Sequence, residues 1–120
     1  MAFIKNRAFI ICPVRDVSPH IQVLAKQEVR YLESKGWEVH LPIRDTNQID
    51  SIGFNICSEN LEAIKASDMI YVIWDGHSQG CLFDLGMAFA LGKKTKVIHL
   101  PLESQGKSFQ NMIEYWSKLK

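Results

Sequence analysis

The chain has 120 residues, 47% of them apolar, which suits one domain (residues 1–120) with a core of its own and excludes an intrinsically disordered chain. Fourteen Lys and Arg against 13 Asp and Glu leave a formal net charge of +1, so bulk charge gives no reason to expect a nucleic-acid polymer or a membrane surface as partner. No apolar stretch reaches the roughly 18 residues of a membrane-spanning helix.

At the start, Lys5 and Arg7 precede a short apolar stretch that ends at Pro13 and Arg15 without a small-residue cleavage pattern, which argues against a signal peptide. Ala8 to Cys12 is a continuous apolar run, predicting a strand buried on both faces. Ser18 to Lys35 reads as a helix. Ser18 can cap it, Pro19 suits the first helical position, and Ile21, Leu24, Ala25, Val29 and Leu32 form one apolar stripe. Gly36 is its expected stop. Trp37 to Ile43 is predicted as the second strand, ending around Pro42, and Arg44 to Ser51 as a polar loop. Phe54 to Ala66 reads as a helix with Ile56, Leu61 and Ile64 inward. Met69 to Trp74 is the strongest strand pattern in the chain. Asp75 to Gly80 follows as a polar, glycine-flanked loop, then a helix over Leu82 to Leu91, a strand over Thr95 to Leu100 and a last helix over Phe109 to Leu119, where Tyr115 and Trp116 are expected to pack.

Alternating strands and helices predict an α/β fold: a doubly wound, mainly parallel sheet of four or five strands with helices on both faces, a flavodoxin-like or Rossmann-like three-layer sandwich. Right-handed crossovers bring the loops after the first and third strands to one sheet edge. Ligands bind there, at the carboxyl ends of strands near the topological switch point. The loops of interest are therefore Cys12 to Pro19 and Asp75 to Asp84.

The second of these holds Asp75, Ser78, Gly80 and Asp84. Ser78 and the backbone N–H of Gly80 at a helix start suit an anion such as a phosphate, or Ser78 simply caps the helix. Asp84, expected near the first helical turn, is either a helix-terminal charge or a nucleophile, acid or base facing the crevice. Arg15 in the first loop can meet a phosphate, pair with a carboxylate or lie exposed. Asn60 and Glu59 either reach the same crevice or face water, and taken alone are expected in water; His20, His40 and His99 read as ordinary residues of their elements. Cys12, Cys57 and Cys81 are too widely spaced for a disulfide framework or a zinc pattern and read as reduced thiols of a cytoplasmic protein. A receiver domain is disfavoured by the lack of an acidic pair after the first strand, and a dinucleotide fold by the lack of glycine in Cys12-Pro13-Val14-Arg15.

Taken in order, Ser67 to Ile73, Ser78 to Ala88 and Gly92-Lys93-Lys94 resemble the nucleoside 2-deoxyribosyltransferase family, which includes 2'-deoxynucleoside 5'-phosphate N-hydrolases. Phe9 to Arg15 and Ser58 to Ile64 fit the same pattern, so the resemblance runs over about residues 8 to 100. It implies cleavage or transfer at an N-glycosidic bond through a carboxylate nucleophile, without cofactor or metal, on a nucleoside or nucleoside 5'-monophosphate. By position Asp84 is the implied nucleophile. Ser78 and Gly80 are placed at a 5'-phosphate or 5'-hydroxyl, Arg15 and Pro13 in the substrate loop, Asn60 near sugar or base, and Asp75 among the binding residues. Serine at position 78, where transferases often carry aspartate, points to a 5'-phosphorylated ligand.

The resemblance also implies a homodimer or higher homo-oligomer, for which Trp74, Met87, Phe89 and the last helix are expected to supply apolar surface. Three residues depart from the family pattern. Asp84 stands for the usual Glu, Asn60 for a common Asp, and Pro13 for a small polar residue. They keep open a second reading, a non-catalytic nucleotide-binding or sensor module on the same fold.

Overall fold

The computed structural model describes residues 5–119. Met1 to Ile4, part of the stretch considered for a signal peptide, lie outside the described residues. The elements are β1 (Arg7–Ile11), α1 (Pro19–Ser34), β2 (Glu38–His40), α2 (Pro42–Asp45), α3 (Phe54–Lys65), β3 (Met69–Ile73), α4 (Gln79–Ala90), β4 (Thr95–His99) and α5 (Phe109–Ser117).

The strands form a four-stranded sheet in the order β2-β1-β3-β4, and every pairing is parallel. Ala8 pairs with Val39 on one side and Met69 on the other. The chain steps outward from β1 to β2, then returns past β1 to β3, so the switch point lies between β1 and β3.

Alternation along β1 sorts the core into two layers. Ala8, Ile10 and Cys12 face α1 and pack with Ile21, Ala25, Val29 and Leu32. Phe9 and Ile11 face the other way, against Ile64 of α3, Leu85 and Ala88 of α4 and Ile113 of α5. The doubly wound α/β architecture is therefore present.

The differences from expectation are local. Strand β2 is only Glu38–His40, and Pro42 does not end it but opens the short helix α2 at its first position. Proline lacks an N–H, so its place at a helix start costs nothing, and a stop and a start look alike in sequence. Trp74 is not surface but 4% exposed core, its indole Nε1 donating to the Ser78 carbonyl at 3.2 Å. Trp116 packs against the second core layer, whereas Tyr115 is 70% exposed. Ile64 is buried, while Ile56 and Leu61 are half-buried. No described helix is long and apolar enough to cross a membrane.

Candidate active site

A cavity of about 610 Å³ opens at the carboxyl ends of β1 and β3. Both loops singled out from the sequence line it, joined by α3 and the segment after α2. Arg15, Asn60, Asp75, Ser78, Gly80 and Asp84 all face it. Pro13 does not line it and is buried. The next residues, Val14, Arg15 and Asp16, reach the cavity, with Asp16 held at a left-handed φ of 50°.

Helix α4 starts three residues earlier than its apolar stripe suggests, so Gly80 lies inside its first turn rather than in the loop. Ser78 is the N-cap: its Oγ accepts from the Cys81 N–H at 3.2 Å. The preceding turn is fixed by Asp75, whose Oδ1 accepts from the N–H groups of His77 and Ser78, both at 2.8 Å. Burial raises the Asp75 pKa, but these N–H groups and nearby His77 outweigh it, and the carboxyl sits below its ordinary range. Gly76 has φ 85°, and a Cβ there would stand 2.8 Å from Pro101 Cγ, so glycine is required. A Cβ on Gly80 would meet only Ser78 Oγ, at 3.9 Å, so its backbone is open to the cavity.

Asp84 is the sixth residue of α4, beyond the first turn in which a helix dipole acts strongly. Its position follows from helical spacing instead: Cys81, Asp84, Leu85 and Ala88 form one buried stripe, and Asp84 is the stripe's carboxylate at the cavity end. It is 8% exposed. Burial pushes its pKa up to about 6, partly opposed by hydrogen bonding from Asn60. At neutral pH it is thus mostly ionised and poorly hydrated, a condition suited to a nucleophile.

Asn60 is not in water. It lies four residues before Ile64 on the buried face of α3 and is 5% exposed. Its Nδ2 stands 3.4 Å from both oxygens of Asp84. Its Oδ1 accepts from Thr46 Oγ1 at 2.7 Å, and Thr46 Oγ1 lies 2.7 Å from His40 Nε2. Thr46, read from sequence as loop, is 4% exposed. His40, read as ordinary, stacks on Phe9 with ring centroids 5.2 Å apart. Burial lowers the His40 pKa and Arg44 adds to this, against Asp45 and Glu59, so the ring is neutral near pH 7. Glu59 is exposed, as expected, and accepts from the Asn47 N–H at 3.1 Å.

Sequence reasoning missed Thr46, His40, Gln48 and Cys57 here. Gln48 lines the cavity while donating to the carbonyls of Pro42 and Thr46. Among the described cysteines, burial pushes Cys12 up to about 11, aided by Asp75, and Cys81 up to about 12, so both stay protonated. Among the described residues no three His, Cys, Asp or Glu side chains group as a metal site would.

Fold and site together define an α/β protein with a small-molecule crevice at its switch point and a buried carboxylate in the crevice wall. The family model for nucleoside 2-deoxyribosyltransferase matches residues 16–112, and the chain belongs to that family. No curated protein matches the chain. Among solved structures, it is similar to the Clostridium botulinum CMP N-glycosidase BcmB (22% identity, TM-score 0.60, 93% of this chain and 84% of that one). It is also similar to a 2-desoxiribosyltransferase from Leishmania mexicana (23% identity, TM-score 0.57, 78% and 65%). A third similar structure is a conserved protein from Enterococcus faecalis V583 (17% identity, TM-score 0.64, 97% and 77%). At these identities the structural similarity establishes the fold.

Proposed function

We propose that the chain cleaves the N-glycosidic bond of a nucleoside or 2'-deoxynucleoside, preferentially as its 5'-monophosphate, with Asp84 as nucleophile. One observation carries this reading: a buried, mostly ionised carboxylate faces the crevice in a chain of this family. An Asp84 oxygen attacks C1' of the sugar. The C1'–O bond forms as the C1'–N bond breaks, and the base leaves with that electron pair and takes up a proton from water. Water, or a second base, then attacks C1' and releases Asp84.

The other residues follow from placement. The open backbone at Gly80 and the capped start of α4 suit a 5'-phosphate, with Arg15 at the mouth as its cation. Asn60 holds Asp84 through its amide. Its amide nitrogen lies 3.4 Å from both carboxylate oxygens, so it steadies the carboxylate without a short bond to either oxygen.

Binding without turnover is the second reading. It draws on Asp84 and Asn60, where the family pattern has Glu and Asp. The shorter side chain retracts the carboxylate by about 1.5 Å, one C–C bond, and misplacement on this scale costs on the order of a hundredfold in rate. Incubation with nucleosides and nucleoside monophosphates, followed by chromatography, separates the two. Free base that disappears in Asp84→Asn supports the enzyme; tight binding with no base supports the module.

A homo-oligomer is proposed on the exposed Phe89, Met112 and Tyr115 of α4 and α5. Sedimentation as a monomer would count against it. A cytoplasmic location is proposed on three unpaired thiols.

A further inference from the structure

We propose that Thr46 and His40 are positioning residues: they hold the Asn60 amide with its NH₂ group toward Asp84 and so keep that carboxylate charged and available to attack. The inference rests on Asp84 being the nucleophile, but its test does not require turnover.

A buried asparagine amide can sit in two orientations related by a half-turn. One presents NH₂ to Asp84, the other presents a carbonyl oxygen. The second suits only a protonated Asp84, because two acceptors would otherwise face each other. What selects between them is the far end of the amide, where Thr46 Oγ1 lies 2.7 Å from Asn60 Oδ1. A hydroxyl has one proton. Given to Asn60, it leaves Thr46 Oγ1 to accept from His40 Nε2, also at 2.7 Å, which therefore carries hydrogen. The chain runs in one direction, His40 to Thr46 to Asn60 to Asp84, and every donor meets an acceptor.

Run backwards, it would need the other imidazole tautomer and a proton on Asp84. Its direction and the charge of Asp84 are thus one property. Thr46 and Asn60 are nearly inaccessible to water, so neither has a solvent substitute if the chain is cut. Thr46 is fixed by main-chain geometry, since its N–H caps α2 on the Pro42 carbonyl. His40 is fixed by stacking on Phe9.

Other charges near the chain do not change when it is cut at Thr46. The Cys12 thiol just after β1, Arg15 and Asp16 from the loop that follows, Asp75 and His77 from the loop after β3, and the Cys57 thiol of α3 share the cavity with Asp84. Cys81 precedes Asp84 on its own helix. Arg44, Asp45 and Glu59 surround His40. A shift in Asp84 ionisation in Thr46→Val therefore reports the hydrogen-bond chain rather than a new charge.

The test is an NMR titration of the Asp84 side-chain carboxyl carbon in the intact protein, assigned by its loss in Asp84→Asn. Thr46→Val should raise the Asp84 midpoint, weakening its ionisation about tenfold, the scale of one hydrogen bond to a charged group. Thr46→Ser should return it to the native value. His40→Phe, which keeps the stack on Phe9 and removes the donor, should move it in the same direction by less, and it decides the matter if Thr46→Val does not fold. An unchanged midpoint in folded Thr46→Val, or in His40→Phe if only that variant folds, overturns the proposal. If the midpoint moves while no nucleoside or nucleotide is cleaved, the positioning role stands and the glycosidase reading falls. If cleavage occurs and the midpoint is unmoved, the reverse holds.

Discussion

Asn60 Nδ2 lies 3.4 Å from each oxygen of Asp84, and this contact joins α3 to α4 through two residues 24 positions apart in the chain. It is too long to offset fully what burial does to the carboxylate, whose pKa is pushed up to about 6 against an ordinary 3.8. A folded pKa above the unfolded one means that the native state holds the proton more tightly. The contribution of Asp84 to stability is therefore best at low pH, falls as pH rises from 3.8 to about 6, and then levels off. At pH 7 this amounts to about 3 kcal/mol against the fold.

Asp84→Asn should accordingly stabilise the protein while removing its activity. A gain of about 1–3 kcal/mol at pH 7, a rise in melting temperature of roughly 4–10 °C, is expected. Base release should fall by about 10⁴-fold or more. Thermal melts across pH 4–8 check the first part: the native protein should lose stability relative to the variant up to about pH 6 and keep a constant gap above it. Parallel curves would show that Asp84 is not a strained buried charge.

With Asp84 as the proposed nucleophile, the same pKa sets the pH dependence expected of the proposed reaction. Attack needs an ionised Asp84, so kcat/KM should rise with pH and level off above a midpoint of about 6. A profile flat between pH 4.5 and 7.5 would take Asp84 out of the rate-determining attack.

Gly80→Ala separates fold from ligand. Alanine in the first turn of α4 meets only Ser78 Oγ at contact distance, so stability should be unchanged or better by up to about 1 kcal/mol. Its methyl group enters the space assigned to the phosphate, so KM for a nucleoside 5'-monophosphate should rise. Calorimetry and steady-state kinetics on one sample test both, and an unchanged KM would move the phosphate elsewhere.

Much of this was legible in the residues. The apolar run of β3, the Ser18-Pro19 start of α1 and the strand–helix alternation suffice for the sheet and its two facing layers. Asp84 was legible too, as the one charge on the apolar face of α4. Pro42 misled because proline ends strands and begins helices with equal ease. Asn60 had a local signal, its spacing of four from Ile64, but a polar residue on a helix that is half polar gives no hint of what it meets. Thr46 and His40 had none. Their roles arise from hydrogen bonds between α2, β2 and α3, and pairing across elements leaves no periodic trace in a sequence.

Ser78→Asp tests the choice of ligand. Aspartate caps a helix as well as serine, so stability should change by less than about 0.5 kcal/mol. Its charge repels a phosphate bound at the same turn, so a nucleoside 5'-monophosphate should lose at least about tenfold in kcat/KM, while an unphosphorylated nucleoside is spared. Competition kinetics between the two substrates measure this, and equal losses would remove the phosphate from Ser78.

Covalent trapping reaches the chemistry most directly. A nucleoside 5'-monophosphate whose sugar carries fluorine at C2', which slows release of the intermediate more than it blocks its formation, is incubated with the protein, and peptides are mapped by mass spectrometry. The expected result is one sugar phosphate attached to the peptide bearing Asp84, with one equivalent of free base. Base release with the label on another residue, or substrate recovered intact from a saturated protein, would contradict a nucleophilic Asp84.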